Sequence, residues 1–209
     1  MIDKMNNSQS DFINSNLSKL GYSTKQDIIE NLFIKSLIES YNRINKGIGI
    51  ENEIRDRFMK DIHTTDSEIK RWLQLKIIYL DWENWVFTNE FELARTDITF
   101  KLTGLEFILE CKRLKSPNKA YIDEGLDRFI KLKYSKGDDY AGMIGFIVSG
   151  DKMFICNGLK NRINNLEHTI LTTDITLTPG FNSHHKRIDN TQISIYHLFF
   201  DLMTESNSI

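Results

Sequence analysis

Arg95-Thr96-Asp97-Ile98-Thr99-Phe100 and, after the pair Thr103-Gly104, Phe107-Ile108-Leu109-Glu110-Cys111-Lys112-Arg113-Leu114 form the stretch on which this chain's reading turns. Both halves carry the β-branched and aromatic residues of strands, and Thr-Gly between them is a tight-turn signal. We expect strands over 95–102 and 105–113, joined as a hairpin. Pairing about Thr103-Gly104 sets Asp97 opposite Glu110. Lys112 projects from the same face as Glu110, because side chains alternate along a strand. Glu110 follows Phe107-Ile108-Leu109, which is apolar on both faces. A carboxylate in such a place is costly unless it is paired, hydrogen-bonded or bound to a metal.

Outward from this hairpin the pattern is mixed. Residues 1–22 are rich in Asn and Ser. A helix is expected over 25–45, where Ile28, Ile29, Leu32, Phe33, Ile38 and Tyr41 recur at helical spacing. A second is expected over 50–63 on the stripe Ile50, Ile54, Phe58 and Ile62. A third starts after Thr65-Asp66 and carries Ile69, Trp72, Leu73, Ile77 and Leu80 in register. A first strand is expected over 86–93. After the hairpin come a helix over 119–134, a buried strand over 143–149, a helix near 157–167, and strands near 169–177 and 193–202. The order predicts an α/β (α+β) chain with a central mixed sheet flanked by helices, read as an N-terminal helical segment over 1–48 and one domain over 49–209.

Two carboxylates with a backbone carbonyl make a hard oxygen site suited to Mg²⁺, with Mn²⁺ able to substitute. A lysine beside it can orient a water, take its proton if its own pKa is depressed, or stabilise charge developing on phosphorus. That chemistry suits phosphodiester hydrolysis. The competing reading is a cross-strand ion cluster with no catalytic role. The apolar flanks of Glu110 and the in-register aspartate favour the site.

Asp97…Glu110-Cys111-Lys112, set between apolar strand residues after a helix-rich N-terminus, resembles the PD-(D/E)xK nuclease superfamily, the restriction-endonuclease-like fold. Thr96 stands where the name-giving proline often sits. The resemblance implies a Mg²⁺-dependent endonuclease, DNA rather than RNA as substrate, and Asp97, Glu110 and the Cys111 carbonyl as metal ligands. Lys112 would be the catalytic lysine. Members often add a glutamate from the helix before the hairpin. Glu51 is the candidate because it lies on the Ile54/Phe58 side, with Glu90 and Glu92 competing for the role. Family habit points to a bacterial antiviral defence or restriction system, and to a homo-oligomer or a partner subunit. The alternative is a catalytically inactive protein of this fold that binds nucleic acid or a partner protein.

Candidate nucleic-acid contacts are Arg113, Lys115 and Lys119 after the third strand, Tyr121 and Arg128 on the next helix, and His185 and Arg187 in Ser183-His184-His185-Lys186-Arg187. Gly125, on the face of Tyr121 and Arg128, suggests close packing there. Ser183-x-His185-x-Arg187 followed by Ile193-Ser-Ile-Tyr-His197 looks similar to the C-terminal part of defence-associated nucleases of the same superfamily.

Net charge is −2, so a polyanionic partner must be met by local patches. Cys111 and Cys156 have neither disulfide-framework nor zinc spacing. No apolar run nears the ~20 residues of a membrane span, and the polar start lacks a secretory signal, so a cytoplasmic location without membrane contact is expected. No phosphate-binding Gly-Lys-Ser/Thr loop, dinucleotide-binding motif, hydrolase elbow, helix-turn-helix or zinc finger occurs.

Overall fold

The computed structural model describes residues 13–87, 93–175 and 180–203. A helical segment at 13–19 (α1) leads into a helix over 25–43 (α2), whose middle, Ile29–Ile34, is π-helical. Thr24 caps α2 by accepting the Asp27 N–H. Helices α3 (Glu51–Thr64) and α4 (Glu68–Gln74) follow, with Ser67 capping α4.

The third helix does not run on to Leu80 as expected. It ends at Gln74, and Lys76 takes a positive φ of 55°. Strand β1 then covers Tyr79–Phe87, starting well before the expected Val86, while residues 88–92 lie outside the described residues. The physical reason is a change of period. Ile78 and Leu80 are buried while Ile77 and Tyr79 are exposed, the alternation of a strand. Over so few residues, apolar positions fit either period.

Strands β2 (Leu93–Leu102) and β3 (Leu105–Leu114) form the expected hairpin. Residues 120–130 make helix α5, mostly π-helical over Tyr121–Leu126. Strand β4 (Tyr140–Ile147), helix α6 (Lys152–Asn164), and strands β5 (Thr169–Asp174), β6 (Gly180–Lys186) and β7 (Gln192–Asp201) complete the chain. The polar stretch around Ser183 is therefore a strand between β5 and β7. The sheet has seven strands in the order β1-β2-β3-β4-β7-β6-β5. Its centre, β3-β4-β7, is parallel and both flanks are antiparallel. The fold is α+β, with a mixed sheet between helical layers.

Each face of the sheet buries its own core. Helices α1–α4 cover one face, where Phe33, Ile54 and Phe58 meet Phe100, Phe107, Phe146 and Phe200. The Phe33 and Phe100 rings stack with centroids 4.7 Å apart. Helices α5 and α6 cover the other, where Leu126, Phe129 and Leu159 meet Ile108, Met143 and Phe199. Each fully buried side chain of this size contributes about 1.5–3 kcal/mol. On β3, Phe107, Leu109 and Cys111 belong to the first core and Ile108 and Leu114 to the second. Alternation therefore turns Glu110 and Lys112 toward α5. Among the described residues, no helix is long and apolar enough to cross a membrane.

Candidate active site

The hairpin sets the site. Gly104 has φ +83°, a conformation that favours glycine. From this turn the pairing runs Leu102↔Leu105 to Ile98↔Leu109, so the register brings Asp97 level with Glu110, as the turn position predicted. There the Cys111 backbone N–H donates to Asp97 Oδ2 at 2.7 Å. On the other side of β2, the pairs Trp82↔Ile98 and Asn84↔Thr96 bracket Glu83 and Asp97. Glu83 itself has φ +55°. Three carboxylates, Glu83, Asp97 and Glu110, thus stand level on three neighbouring strands.

Glu110 is 1% exposed. Its Oε1 accepts from Lys112 Nζ at 2.7 Å and from Arg128 Nη1 at 2.8 Å. Its Oε2 is buried with no hydrogen-bond partner. Burial, then the nearby Asp97 charge, pushes the Glu110 carboxyl up to about 7 against the pull of Lys112 and Arg128. Burial alone would lower Lys112, but the charge and hydrogen bond of Glu110, with Glu51 and Asp97, more than offset it and hold the ammonium above its ordinary value. Of the three roles open to this lysine, the two that use a cation fit this environment. Gly125 faces this pair. A Cβ there would lie 2.4 Å from Met143 Cε, so the glycine makes room for that methionine, with the Lys112 stem at ordinary contact distance, 3.6 Å.

Helix α3 delivers two more groups. Glu51 Oε2 accepts the Arg113 backbone N–H at 2.9 Å, which brings the helix-start glutamate to the end of β3. Burial raises its carboxyl, and Asp97 adds to that, against Lys112, the Arg113 N–H and Arg55. Glu53 instead turns back to accept the Ile50 N–H at 3.3 Å. Glu90 and Glu92 lie outside the described residues. One turn after Glu51, Arg55 is 1% exposed. Its Nη1 reaches Asp97 Oδ1 at 3.1 Å and its Nη2 reaches Glu83 Oε1 at 2.6 Å. The sequence reading missed Arg55 and Glu83. The i,i+4 spacing from Glu51 to Arg55 was the available signal, but on a helix it reads first as an ordinary surface pair.

Four of the candidate nucleic-acid contacts keep some exposure, and of these Arg128 and the Arg113 backbone touch the cluster. Arg128 is partly exposed and bonds Glu110 and the Tyr134 hydroxyl, Arg113 is partly buried, and Lys115 and Lys119 are exposed. The other three are corrected by burial. Tyr121 and His185 are 0% exposed and Arg187 4%. Arg187 Nη2 donates to the carbonyls of Ser135 and Asp138 at 2.9 and 2.8 Å. Tyr121 and His185 belong to a buried chain of hydrogen bonds. Its links are Tyr121 Oη to His197 Nδ1 (3.0 Å), His197 Nε2 to Ser183 Oγ (2.7 Å), Ser183 Oγ to His185 Nε2 (2.6 Å) and His185 Nδ1 to Thr169 Oγ1 (3.1 Å). Thr169 Oγ1 donates to the Ile163 carbonyl at 2.7 Å. Since Thr169 spends its proton there, one arrangement satisfies every link: Tyr121 donates, each histidine is neutral, and every donor points toward Ile163. The Cys111 thiol is buried and its pKa is pushed far up by burial, then by Asp97, so only its main chain can serve the site.

Among the described residues, no three or more His, Cys, Asp or Glu side chains are grouped to hold a metal ion. No family model matches the chain, and comparison with curated proteins and with solved structures gives no match.

Proposed function

We propose that this protein is a Mg²⁺-dependent nuclease of the restriction-endonuclease-like kind, cleaving DNA in preference to RNA within a bacterial defence system. The observation that carries the reading is the meeting of Asp97, Glu110, Lys112 and Glu51 from three elements, with one buried carboxylate oxygen, Glu110 Oε2, left without a partner. An unpaired buried carboxylate oxygen is costly, and a cation is its natural complement. The donors are all oxygens: Asp97, Glu110 and the Cys111 carbonyl. They fit a hard divalent cation, Mg²⁺ or Mn²⁺.

Such an ion, when bound, polarises a phosphate oxygen and acidifies a water. The chain's own groups do the rest. Lys112, kept as an ammonium by Glu110, orients the attacking water and stabilises negative charge on phosphorus. Glu51 adds an acidic group beside Lys112, fixed by the Arg113 N–H. Lys115 and Lys119, both exposed, are the cations that would meet the phosphates of a polyanion. Cutting both strands of a duplex calls for two sites, so we expect a two-fold homodimer or a partner subunit.

One observation favours a second reading, in which the fold binds nucleic acid or a protein without cutting. Arg55 and Arg128 already pair with the two principal carboxylates. Incubation of the purified chain with supercoiled plasmid in Mg²⁺ or Mn²⁺ decides between them. Cleavage is expected, and Lys112→Ala should lower it at least ~100-fold while the variant stays folded by circular dichroism. Retention of DNA on a gel with no cleavage in either metal selects the second reading.

A further inference from the structure

Two-ion phosphodiesterases hold a pair of divalent cations about 3.5–4 Å apart between their carboxylates. Here one flank of the cluster is already filled by a side-chain cation. Arg55 is 1% exposed, and its guanidinium bridges Asp97 Oδ1 at 3.1 Å and Glu83 Oε1 at 2.6 Å. On the opposite flank, Lys112 and Arg128 both lie on Glu110 Oε1. Among the site's described carboxylate oxygens, Glu110 Oε2 is the buried one left without a hydrogen bond.

The glutamate that pairs with Arg55 from β1 has a left-handed backbone. Glu83 sits level with Asp97 in the β1–β2 ladder and adopts φ +55°, a region that costs a non-glycine residue of order 1–3 kcal/mol. A buried arginine held on one side by a strained glutamate and on the other by the site's aspartate is an expensive arrangement for mere packing. Its effect is to place a permanent positive charge on the β1 side of Asp97, between that carboxylate and Glu83.

We propose that Arg55 takes the place of the second cation, so that the site binds a single divalent ion between Asp97 and Glu110. The inference rests on the nuclease reading but fails separately from it. The probe is Mn²⁺ alone, titrated into the full chain, with bound ions counted by calorimetry and by the loss of free-Mn²⁺ electron paramagnetic resonance. Wild type should bind one ion per chain. Arg55→Met removes the charge at similar size and should raise the count to two. Arg55→Lys keeps the charge and should leave it at one, and it serves if the methionine variant does not fold. Two ions in wild type or in Arg55→Lys, or one ion in a folded Arg55→Met, overturn the inference while the nuclease reading stands. No bound ion in wild type sinks that reading and this inference with it.

Discussion

The Asp97 carboxylate accepts the Cys111 backbone N–H at 2.7 Å, so the aspartate proposed to hold a cation also ties β2 to β3. Asp97→Asn keeps the shape of the side chain but removes the charge that Arg55 and a metal ion need. The variant should lose about 1–3 kcal/mol of stability in urea melts and at least ~100-fold in Mn²⁺ affinity, of the order seen when a group supporting a metal site is lost. Unchanged Mn²⁺ affinity in a folded variant would remove Asp97 from the site.

The register of that contact is set at Gly104. A Cβ there would sit 2.5 Å from Ile13 Cγ1, and φ is already +83°. Gly104→Ala should therefore cost about 2 kcal/mol, from left-handed strain together with crowding. A melting temperature equal to that of wild type would show that the turn relaxes freely.

The buried histidine chain predicts acid sensitivity. Burial, then the neighbouring His168 and His184, drives the His185 pKa down to about 3, and burial holds His197 far below its ordinary value. Below the unfolded value of about 6.5 the unfolded chain takes up protons that the folded chain refuses. Stability is thus present above that pH and lost as pH falls toward 3, by up to about 1.4 kcal/mol per pH unit for each histidine. Glu110, raised to about 7, acts the other way: its contribution is present below the ordinary carboxylate range and is lost as pH rises through 7. Glu110→Gln removes that opposing effect. Its urea midpoint should fall more steeply than that of wild type between pH 7 and 5, and parallel curves would contradict the assignment.

Ser183 is the centre of the same chain, since its hydroxyl serves both rings. Ser183→Ala leaves His185 Nε2 and His197 Nε2 unpaired in the core. It should cost about 3 kcal/mol. A loss under about 0.5 kcal/mol, within the range of ordinary surface substitutions, would mean that the rings find other partners.

On the proposed function, Lys115 contacts phosphate rather than bases. Lys115→Ala should weaken duplex binding to the same degree on every sequence and reduce the slope of log K against log salt by about 0.9. The measurement is fluorescence anisotropy in Ca²⁺ at several salt concentrations. A change in slope near zero would place the polynucleotide elsewhere.

How much was legible follows the range of the interactions. The hairpin, its Thr103-Gly104 turn and the convergence of Asp97, Glu110 and Lys112 were readable because turn chemistry and side-chain alternation act between near neighbours along the chain. Glu51 was readable as the acid on the Ile54/Phe58 side of its helix. The start of β1 was not, because Ile77, Ile78 and Leu80 fit two periods until burial chooses one. Tyr121, His185 and Arg187 looked like surface polar groups and are core residues, since polarity along the chain does not report whether distant partners will satisfy it.

By itself, then, the sequence determined the mixed-sheet class and the three charged residues of the hairpin, through local geometry. Only the tertiary structure decided that Arg55 comes from α3 to join Glu83 with Asp97, and that Tyr121, His197, Ser183 and His185 join into one bonded chain. Apart from Ser183 and His185, neighbours on one strand, those groups are far apart in sequence, and only the packing of helices and strands on one sheet brings them within hydrogen-bonding distance.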